Sequence, residues 1–190
     1  HGGEMNYYFI YGPDLLRVSE QYMDLTGKAE LPAMWTLGYH QCRWSYFPED
    51  VVRNIADGFI KHQIPCDAIY FDIDYMDGYR CFTWNKDHFP NPKQLIADLK
   101  KDGFKSVVMI DPGIAVDKEY HVYKSGMENR VFCRRDDGRL MKGPVWPEEC
   151  VFPDYTDPEV RKWWGKLYDE FYTDMYIDGF WNDMNEPAVF

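Results

Sequence analysis

Four aspartates in this chain close or follow short apolar runs: Asp72, Asp74, Asp111 and Asp183. If those runs are parallel strands, their carboxylates meet at one edge, repel each other and lose solvation there. A fold keeps such a cluster to bind a divalent metal, to bind sugar hydroxyls, or to perform acid/base and nucleophilic chemistry. Metal sites on barrels usually add His or Lys at the same level, and His40 is the only histidine at a predicted strand end. The pattern therefore favours sugar recognition over a metal site.

Aromatic side chains accompany these carboxylates and make up 18% of the chain. A carboxylate accepts paired hydrogen bonds from hydroxyls, while a flat aromatic ring suits the apolar face of a sugar ring. Tryptophans predicted near strand ends or in covering loops are Trp35, Trp44, Trp84, Trp146 and Trp181. This combination favours a saccharide-binding mouth.

Hydrolysis of a glycosidic bond normally uses two carboxyl groups. One protonates the leaving oxygen, and the other acts as nucleophile or as base. Side chains alternate along a strand, so Trp181 and Asp183 share a face. A carboxylate beside an indole wall suits attack on an anomeric carbon, but the spacing alone leaves open whether Asp183 or Glu186 is the nucleophile.

Alternating strand and helix patterns must position these side chains. Strands are predicted over about 37–41, 68–74, 106–111 and 178–183, and helices over about 49–62, 92–102 and 158–173. This alternation predicts βα units and a parallel sheet, in which chemistry lies at the carboxyl ends of the strands. A Gly-rich phosphate loop follows none of the strands, which disfavours a dinucleotide fold. The predicted fold class is therefore α/β, with about four units of a (β/α)8 TIM barrel.

Two segments lie outside the alternation. Residues 5–11 are rich in aromatic and β-branched side chains and predict a strand, followed by a helix from Pro13 to about Thr26 that ends at Gly27. Residues 114–152 contain turn residues and predict an inserted loop or a small excursion.

The bulk composition excludes several classes of partner. A net charge of −11 argues against nucleic acid, whose phosphates require an excess of Lys and Arg. The chain has no apolar run of membrane-spanning length and no signal-peptide pattern. Five cysteines without a C-x-x-C pair indicate free thiols, which favours the cytoplasm.

The richest motif is Gly-Phe-Trp-Asn-Asp-Met-Asn-Glu-Pro at residues 179–187, which resembles the signature of glycoside hydrolase family 31. This family contains α-glucosidases and α-xylosidases. Residues 37–46, 71–77, 108–113 and 151–158 resemble the family's first three barrel strands and the approach to its fourth, in the family's order. The resemblance implies a (β/α)8 barrel, with residues 1–31 as the end of an N-terminal β-sandwich and a connecting helix. Residues 32–190 would form the first half of the catalytic barrel.

The resemblance also assigns roles to residues. Asp183 is implied to be the catalytic nucleophile, and Asp72 is implied to bind hydroxyls of the terminal sugar. The other implied substrate-binding residues are Ile73 below the sugar, Ile110 and Asp111 near the floor, and Trp146, Trp181 and Met184 as walls. Asp74 and Glu186 are expected to support this site. Glu148 and Glu149 follow Trp146-Pro147 where the family usually has Gly, so the loop at Trp146 departs from the family pattern.

These roles imply a retaining, exo-acting α-glucosidase that needs no cofactor or metal and acts on an oligosaccharide or α-glucoside. In the family, the general acid/base lies beyond the nucleophile, so the chain is expected to be a piece that needs the remainder of the same polypeptide. An α-xylosidase or transglucosylase of the same family remains open. So does a different class, a non-catalytic fragment that only binds sugar, and a metal-dependent hydrolase is a third alternative.

Overall fold

The computed structural model describes residues 4–185 and residue 188. Within them, the α-helices are α1 Leu15–Thr26, α2 Glu49–Lys61, α3 Pro92–Lys101, α4 His121–Glu128 and α5 Pro158–Met175. The strands are β1 His40–Gln41, β2 Ala68–Phe71, β3 Lys105–Ile110, β4 Ile114–Ala115, β5 Lys142–Val145, β6 Glu148–Val151 and β7 Gly179–Asn182. Short 3-10 helices occupy Met34–Leu37, Ile73–Tyr75 and Asp77–Tyr79. The chain divides into two compact units, the second of which begins at Trp35.

The first unit contains α1 and the segment before it. The helix follows Asp14, whose carboxylate accepts a 2.9 Å hydrogen bond from the N–H of Arg17, and it ends at Gly27, as predicted. The predicted strand over residues 5–11 is wrong, because these residues form no strand in the structure. A segment of high β-propensity becomes a strand only where another strand pairs with its backbone, and no described strand does so here. The assignment of residues 1–31 to the end of a β-sandwich stays a prediction.

The second unit is built on a parallel sheet with the strand order β1-β2-β3-β7. Each neighbouring pair of strands in this sheet is parallel. Along the chain, α2 connects β1 to β2, α3 connects β2 to β3, and α5 precedes β7. The predicted alternation of strand and helix is therefore confirmed, and the carboxyl ends of the strands lie at one edge.

Three of the four parallel strands, β1, β2 and β7, are shorter than their sequence patterns predict, whereas β3 has the predicted length. The pattern predicts a strand over residues 37–41, but a 3-10 helix ends at Leu37 and β1 has only two residues. β2 ends at Phe71, because the carboxylate of Asp72 caps the 3-10 helix that begins at Ile73. The predicted helix starts are more accurate, since proline at the first helical position and an N-cap before it are local signals.

One face of the parallel sheet packs against helices and loops. The ring of Phe71 lies 5.4 Å from that of Trp84, and the ring of Phe180 lies 4.5 Å from that of Tyr168 on α5. Because side chains alternate along a strand, the neighbours of Phe71 and Phe180 belong to the opposite face. That opposite face carries the residues expected to do chemistry.

Residues 114–152, whose turn residues predict an inserted loop or a small excursion, contain strands and a helix. An antiparallel sheet forms with the strand order β4-β6-β5, and α4 lies between β4 and β5 in sequence. Val145 pairs with Glu148, so Trp146 and Pro147 form the turn of the β5–β6 hairpin. The excursion thus presents Trp146 at a hairpin tip.

Candidate active site

Three of the predicted aspartates directly follow the last residues of parallel strands. Asp72 follows β2, Asp111 follows β3 and Asp183 follows β7. The backbone N–H of Asp183 donates a 3.0 Å hydrogen bond to the carbonyl oxygen of Ile110, the last residue of β3. The structure therefore places these carboxylates at one edge of the sheet, as the sequence predicts.

Asp72 is buried, with 8% of its surface exposed. Its Oδ1 accepts a 2.7 Å hydrogen bond from the backbone N–H of Ile73. Burial raises the pKa of the Asp72 carboxyl, the hydrogen bond from Ile73 opposes that rise, and the charges of Asp74 and Asp183 add to it. Asp72, Asp74 and Asp183 thus share one electrostatic environment.

Asp183 is half-buried and is followed by a strained turn. Its Oδ1 accepts a 3.0 Å hydrogen bond from the backbone N–H of Met184. Met184 has a φ of 58°, in the left-handed region that residues other than glycine rarely occupy. Backbone strain of this kind concentrates at functional sites, because surrounding structure must hold it in place.

Among the residues that the structure describes, no Lys, Arg or His forms an ion pair with Asp72, Asp74 or Asp183 at this edge. Carboxylates without a basic partner remain available to accept hydroxyl hydrogens or to attack an electrophilic carbon. This arrangement fits the chemistry expected of these residues.

A row of aromatic side chains crosses the same face of the sheet. Trp181 lies edge-on to Tyr70, with ring centroids 6.3 Å apart. The Tyr70 hydroxyl lies 3.1 Å from Nδ1 of His40, and the carbonyl oxygen of Trp35 lies 3.0 Å from Nε2 of His40. Both ring nitrogens of His40 therefore have partners, which indicates a structural role for this histidine.

Sequence reasoning assigned no function to two residues on this face. Burial raises the pKa of the Cys42 thiol, and the nearby charge of Asp72 raises it further. Tyr70 has a pKa raised by burial and then by the charge of Cys42. The signal that could have found them is strand alternation, since Tyr70 lies two positions before Asp72 and Cys42 two positions after His40.

Three predicted substrate contacts are almost fully buried. Ile73, Ile110 and Asp111 are 2%, 1% and 1% exposed, respectively. Oδ1 of Asp111 accepts a 3.0 Å hydrogen bond from the N–H of Gly113. Their burial fits a floor beneath the site, whereas Trp146, Trp181 and Met184 are half-buried and present surface as walls. The substrate contacts themselves stay predictions.

Two predicted site residues remain: Asp74, which the structure describes, and Glu186, which lies outside the described residues. Asp74 is the second residue of the 3-10 helix that Asp72 caps, and its charge raises the pKa of Asp72. Glu186, the expected supporting residue and the alternative nucleophile, lies outside the described residues. Its assignment therefore rests on the motif alone.

Residues 4–185 and 188 contain neither a metal-binding cluster nor a membrane-spanning helix. No group of three or more His, Cys, Asp or Glu side chains there is arranged to hold a metal ion. None of the helices in the same residues is both long and apolar enough to span a bilayer.

The parallel sheet and its carboxylate-lined edge define an α/β-barrel protein with a polar mouth. Residues 29–190 match the model of the Glycosyl hydrolases family 31 TIM-barrel domain. The chain belongs to this family, and the (β/α)8 fold class that the motifs imply is confirmed.

Similar proteins include named glycosidases. The chain is 52% identical over 189 residues to Alpha-glucosidase 2 of Bacillus thermoamyloliquefaciens, a match covering 100% of this chain and 24% of that protein. It is 50% identical to the Family 31 alpha-glucosidase from Bacteroides thetaiotaomicron, with a TM-score of 0.83 over 90% of this chain and 29% of that chain. A GH31 dextranase from Flavobacterium johnsoniae, complexed with glucose, is 37% identical with a TM-score of 0.84, over 94% of this chain and 22% of that one. The chain thus spans about a quarter of the length of these relatives.

Proposed function

We propose that this chain supplies the nucleophile half of a retaining, exo-acting α-glucosidase active site. The observation that carries the proposal is the meeting of Asp72, Asp74 and Asp183 at one sheet edge without a basic partner among the described residues. The similarity to named α-glucosidases supports an α-glucoside substrate. The chain acts with the remainder of a longer polypeptide in this proposal.

Asp183 is the proposed nucleophile. Its backbone is fixed by the hydrogen bond to Ile110, and Oδ1 is fixed by the N–H of Met184. Among the described residues, Oδ2 accepts no hydrogen bond, so this oxygen is free to attack. A nucleophile held in this manner loses little conformational freedom when it reacts.

Asp72 is the proposed anchor for the terminal sugar. Its Oδ1 is occupied by the N–H of Ile73, while the carboxylate as a whole has lost most of its water. A desolvated carboxylate gains more from hydroxyl hydrogen bonds than one that is already solvated. Trp181 walls the same face and orients the ring.

The proposed reaction is a double displacement. Oδ2 of Asp183 bonds to the anomeric carbon as the bond from that carbon to the leaving oxygen breaks, and a second carboxyl group protonates the leaving oxygen. The same carboxyl then takes a proton from water, whose oxygen displaces Asp183 and releases the sugar with its original configuration. We propose that the second carboxyl comes from the part of the relatives' length that this chain does not span. The chemistry requires no cofactor.

A mechanism-based inhibitor tests the assignment directly. The full-length protein is incubated with a cyclitol epoxide or a fluoroglycoside of glucose configuration, and the labelled peptide is mapped by mass spectrometry. We expect the label on Asp183 and its loss in Asp183→Asn. Labelling of Glu186, or labelling that survives in Asp183→Asn, would overturn the assignment.

The matched control for that experiment lies at the other edge of the sheet. Asp178 directly precedes β7, whereas Asp183 directly follows it. Among the described residues, Asp178 forms an ion pair with Lys105 and Asp183 forms none. Asp178→Asn is expected to label like the wild type. A xylose-configured reagent that labels faster than the glucose-configured one would assign the protein to α-xylosides instead.

A further inference from the structure

Three aromatic side chains and one aspartate form a cluster beside the strand-end carboxylates, and the roles above do not account for the contacts within it. We call Trp44, Tyr79 and Trp146 the aromatic rim, and Asp74 lies among them. The ring of Trp146 lies 5.8 Å from that of Trp44 and 5.8 Å from that of Tyr79. The rim therefore joins the loop after β1, the segment after β2 and the tip of the β5–β6 hairpin.

Trp44 is held in place although it is exposed. Trp44 is 68% exposed, and its Nε1–H donates a 3.1 Å hydrogen bond to Oδ2 of Asp74. An exposed indole can donate this hydrogen bond to water equally well, so the carboxylate mainly selects one orientation of the ring. In that orientation the indole stands edge-on to Trp146, with 62° between the ring planes.

Tyr79 also lies within reach of the Asp74 carboxylate. Burial raises the pKa of the Tyr79 hydroxyl, and the charge of Asp74 and a hydrogen bond to it raise that pKa further. Tyr79 has a φ of 58° and follows Gly78, whose φ is 55°. A bulky residue in the left-handed region is strained, so the structure around it must compensate.

We infer that Asp74 is a positioning residue that sets the shape of the aromatic rim for the sugar next to the one being released. This inference rests on the proposed function. In an exo-acting site the terminal sugar binds against the buried carboxylates, so the leaving group lies nearer to solvent. Trp44 is exposed whereas Asp72 is buried, which puts the rim on the solvent side of the site, where the leaving group lies.

Asp74 also has a competing role, because its charge raises the pKa of Asp72. The two roles predict different results. Positioning depends on two hydrogen bonds and affects substrates according to their leaving group. A charge effect acts on every substrate alike and shifts the pH profile.

Two substitutions of Asp74 in the full-length protein separate these roles. Asp74→Ala removes both hydrogen bonds, whereas in Asp74→Asn the amide oxygen can accept from Trp44 and the amide N–H can donate to Tyr79. The substrates are maltose, whose leaving group is a sugar, and α-glucosyl fluoride, whose leaving group is a single atom. We expect Asp74→Ala to lower kcat/KM for maltose about tenfold, mainly through KM, and to change that for the fluoride less than about twofold. Asp74→Asn is expected to restore most of the maltose activity.

A spectroscopic readout tests the rim without catalysis. The Trp44–Trp146 pair gives an exciton signal in circular dichroism, identified as the difference between wild type and Trp44→Phe. We expect this signal to be lost in Asp74→Ala and kept in Asp74→Asn. Asp174→Ala, which removes an exposed ion pair with Lys93, serves as the matched surface control and is expected to leave all readouts unchanged.

Two results would overturn the inference. The first is an equal loss of kcat/KM for maltose and for α-glucosyl fluoride. The second is an equal loss of kcat/KM in Asp74→Ala and Asp74→Asn together with a shifted pH profile, which would assign the effect to charge. Failure of the proposed function is distinguishable, because wild-type protein would then turn over neither substrate, while the exciton signal would still respond to Asp74.

Discussion

At the amino edge of the parallel sheet, aspartates bind groups on the neighbouring strand or just before it. Asp178 accepts a 2.9 Å hydrogen bond from Nζ of Lys105 on one oxygen and a 3.1 Å hydrogen bond from the N–H of Ser106 on the other. Asp67 accepts a 3.2 Å hydrogen bond from the N–H of Tyr39. These carboxylates tie neighbouring strands together, which is a structural role.

At the carboxyl edge, the aspartates make local contacts instead. Asp72 and Asp183 each accept a hydrogen bond from the backbone N–H of the next residue, and neither has a basic partner in the described part of the chain. A pair of like charges raises the free energy of the folded state. The contrast with Asp178 indicates that one edge is built for stability and the other for binding and chemistry, as is general for α/β barrels.

The largest expected effect comes from the carboxyl edge. Asp183→Asn in the full-length protein should lower kcat/KM for an α-glucoside by about 10³-fold or more, because the amide cannot form the covalent intermediate. Steady-state kinetics measures the loss, and the thermal unfolding midpoint should hardly change. Activity within tenfold of wild type would break the contrast between the two edges.

The next effect combines activity with stability. Asp72→Asn should lower kcat/KM by about 10- to 100-fold, since hydrogen bonds between sugar hydroxyls and a charged acceptor are lost. Because burial raises the pKa of Asp72, the folded protein binds its proton more tightly than the unfolded chain does. The stability contributed by Asp72 is therefore present at low pH and falls as the pH rises above about 3.9, the ordinary Asp value.

Thermal unfolding across pH measures this second part. At neutral pH, Asp72→Asn should be as stable as the wild type or more stable, and its stability should depend less on pH. A variant that unfolds at a lower temperature than the wild type at neutral pH would show that Asp72 stabilises the fold, as Asp178 does.

At the amino edge the pattern should reverse. Asp178→Ala should lower the free energy of unfolding by about 1–3 kcal/mol, because it leaves Lys105 and the N–H of Ser106 without a half-buried acceptor. The activity of the folded molecules should stay unchanged. Denaturant titration measures the loss, and Asp174→Ala, whose ion pair is exposed, should lose no more than about 0.5 kcal/mol.

The smallest effect concerns the hairpin that carries Trp146. Glu148 has a φ of 73°, where glycine is preferred. Glu148→Gly should raise the free energy of unfolding by about 0.5–1 kcal/mol, the difference between relieved strain and added chain entropy. Denaturant titration beside Glu148→Gln, which keeps the strain but removes the charge, distinguishes the two causes. A gain in the Gln variant would assign the effect to charge.

Much of the fold could be predicted because its signals are local. Proline and N-cap residues mark the starts of α3 and α5, and apolar runs mark β2 and β3. The strand over residues 5–11 was the main failure, since pairing depends on a partner strand that the segment itself does not contain. The ordered sheet within residues 114–152 was missed partly for the same reason, because β4 pairs with β6 at the far end of the excursion, although β5 and β6 form a local hairpin.

The sequence by itself determined which residue types follow each parallel strand, and hence that carboxylates line one edge. It did so because the order of apolar runs, caps and turns is written along the chain. Only the tertiary structure decided that Asp74 binds Trp44, 30 positions away, and that Trp146 completes the aromatic rim. Contacts between loops depend on where the sheet and the hairpin bring them, and strained positions such as Tyr79 and Glu148 arise only once the surrounding packing holds them there.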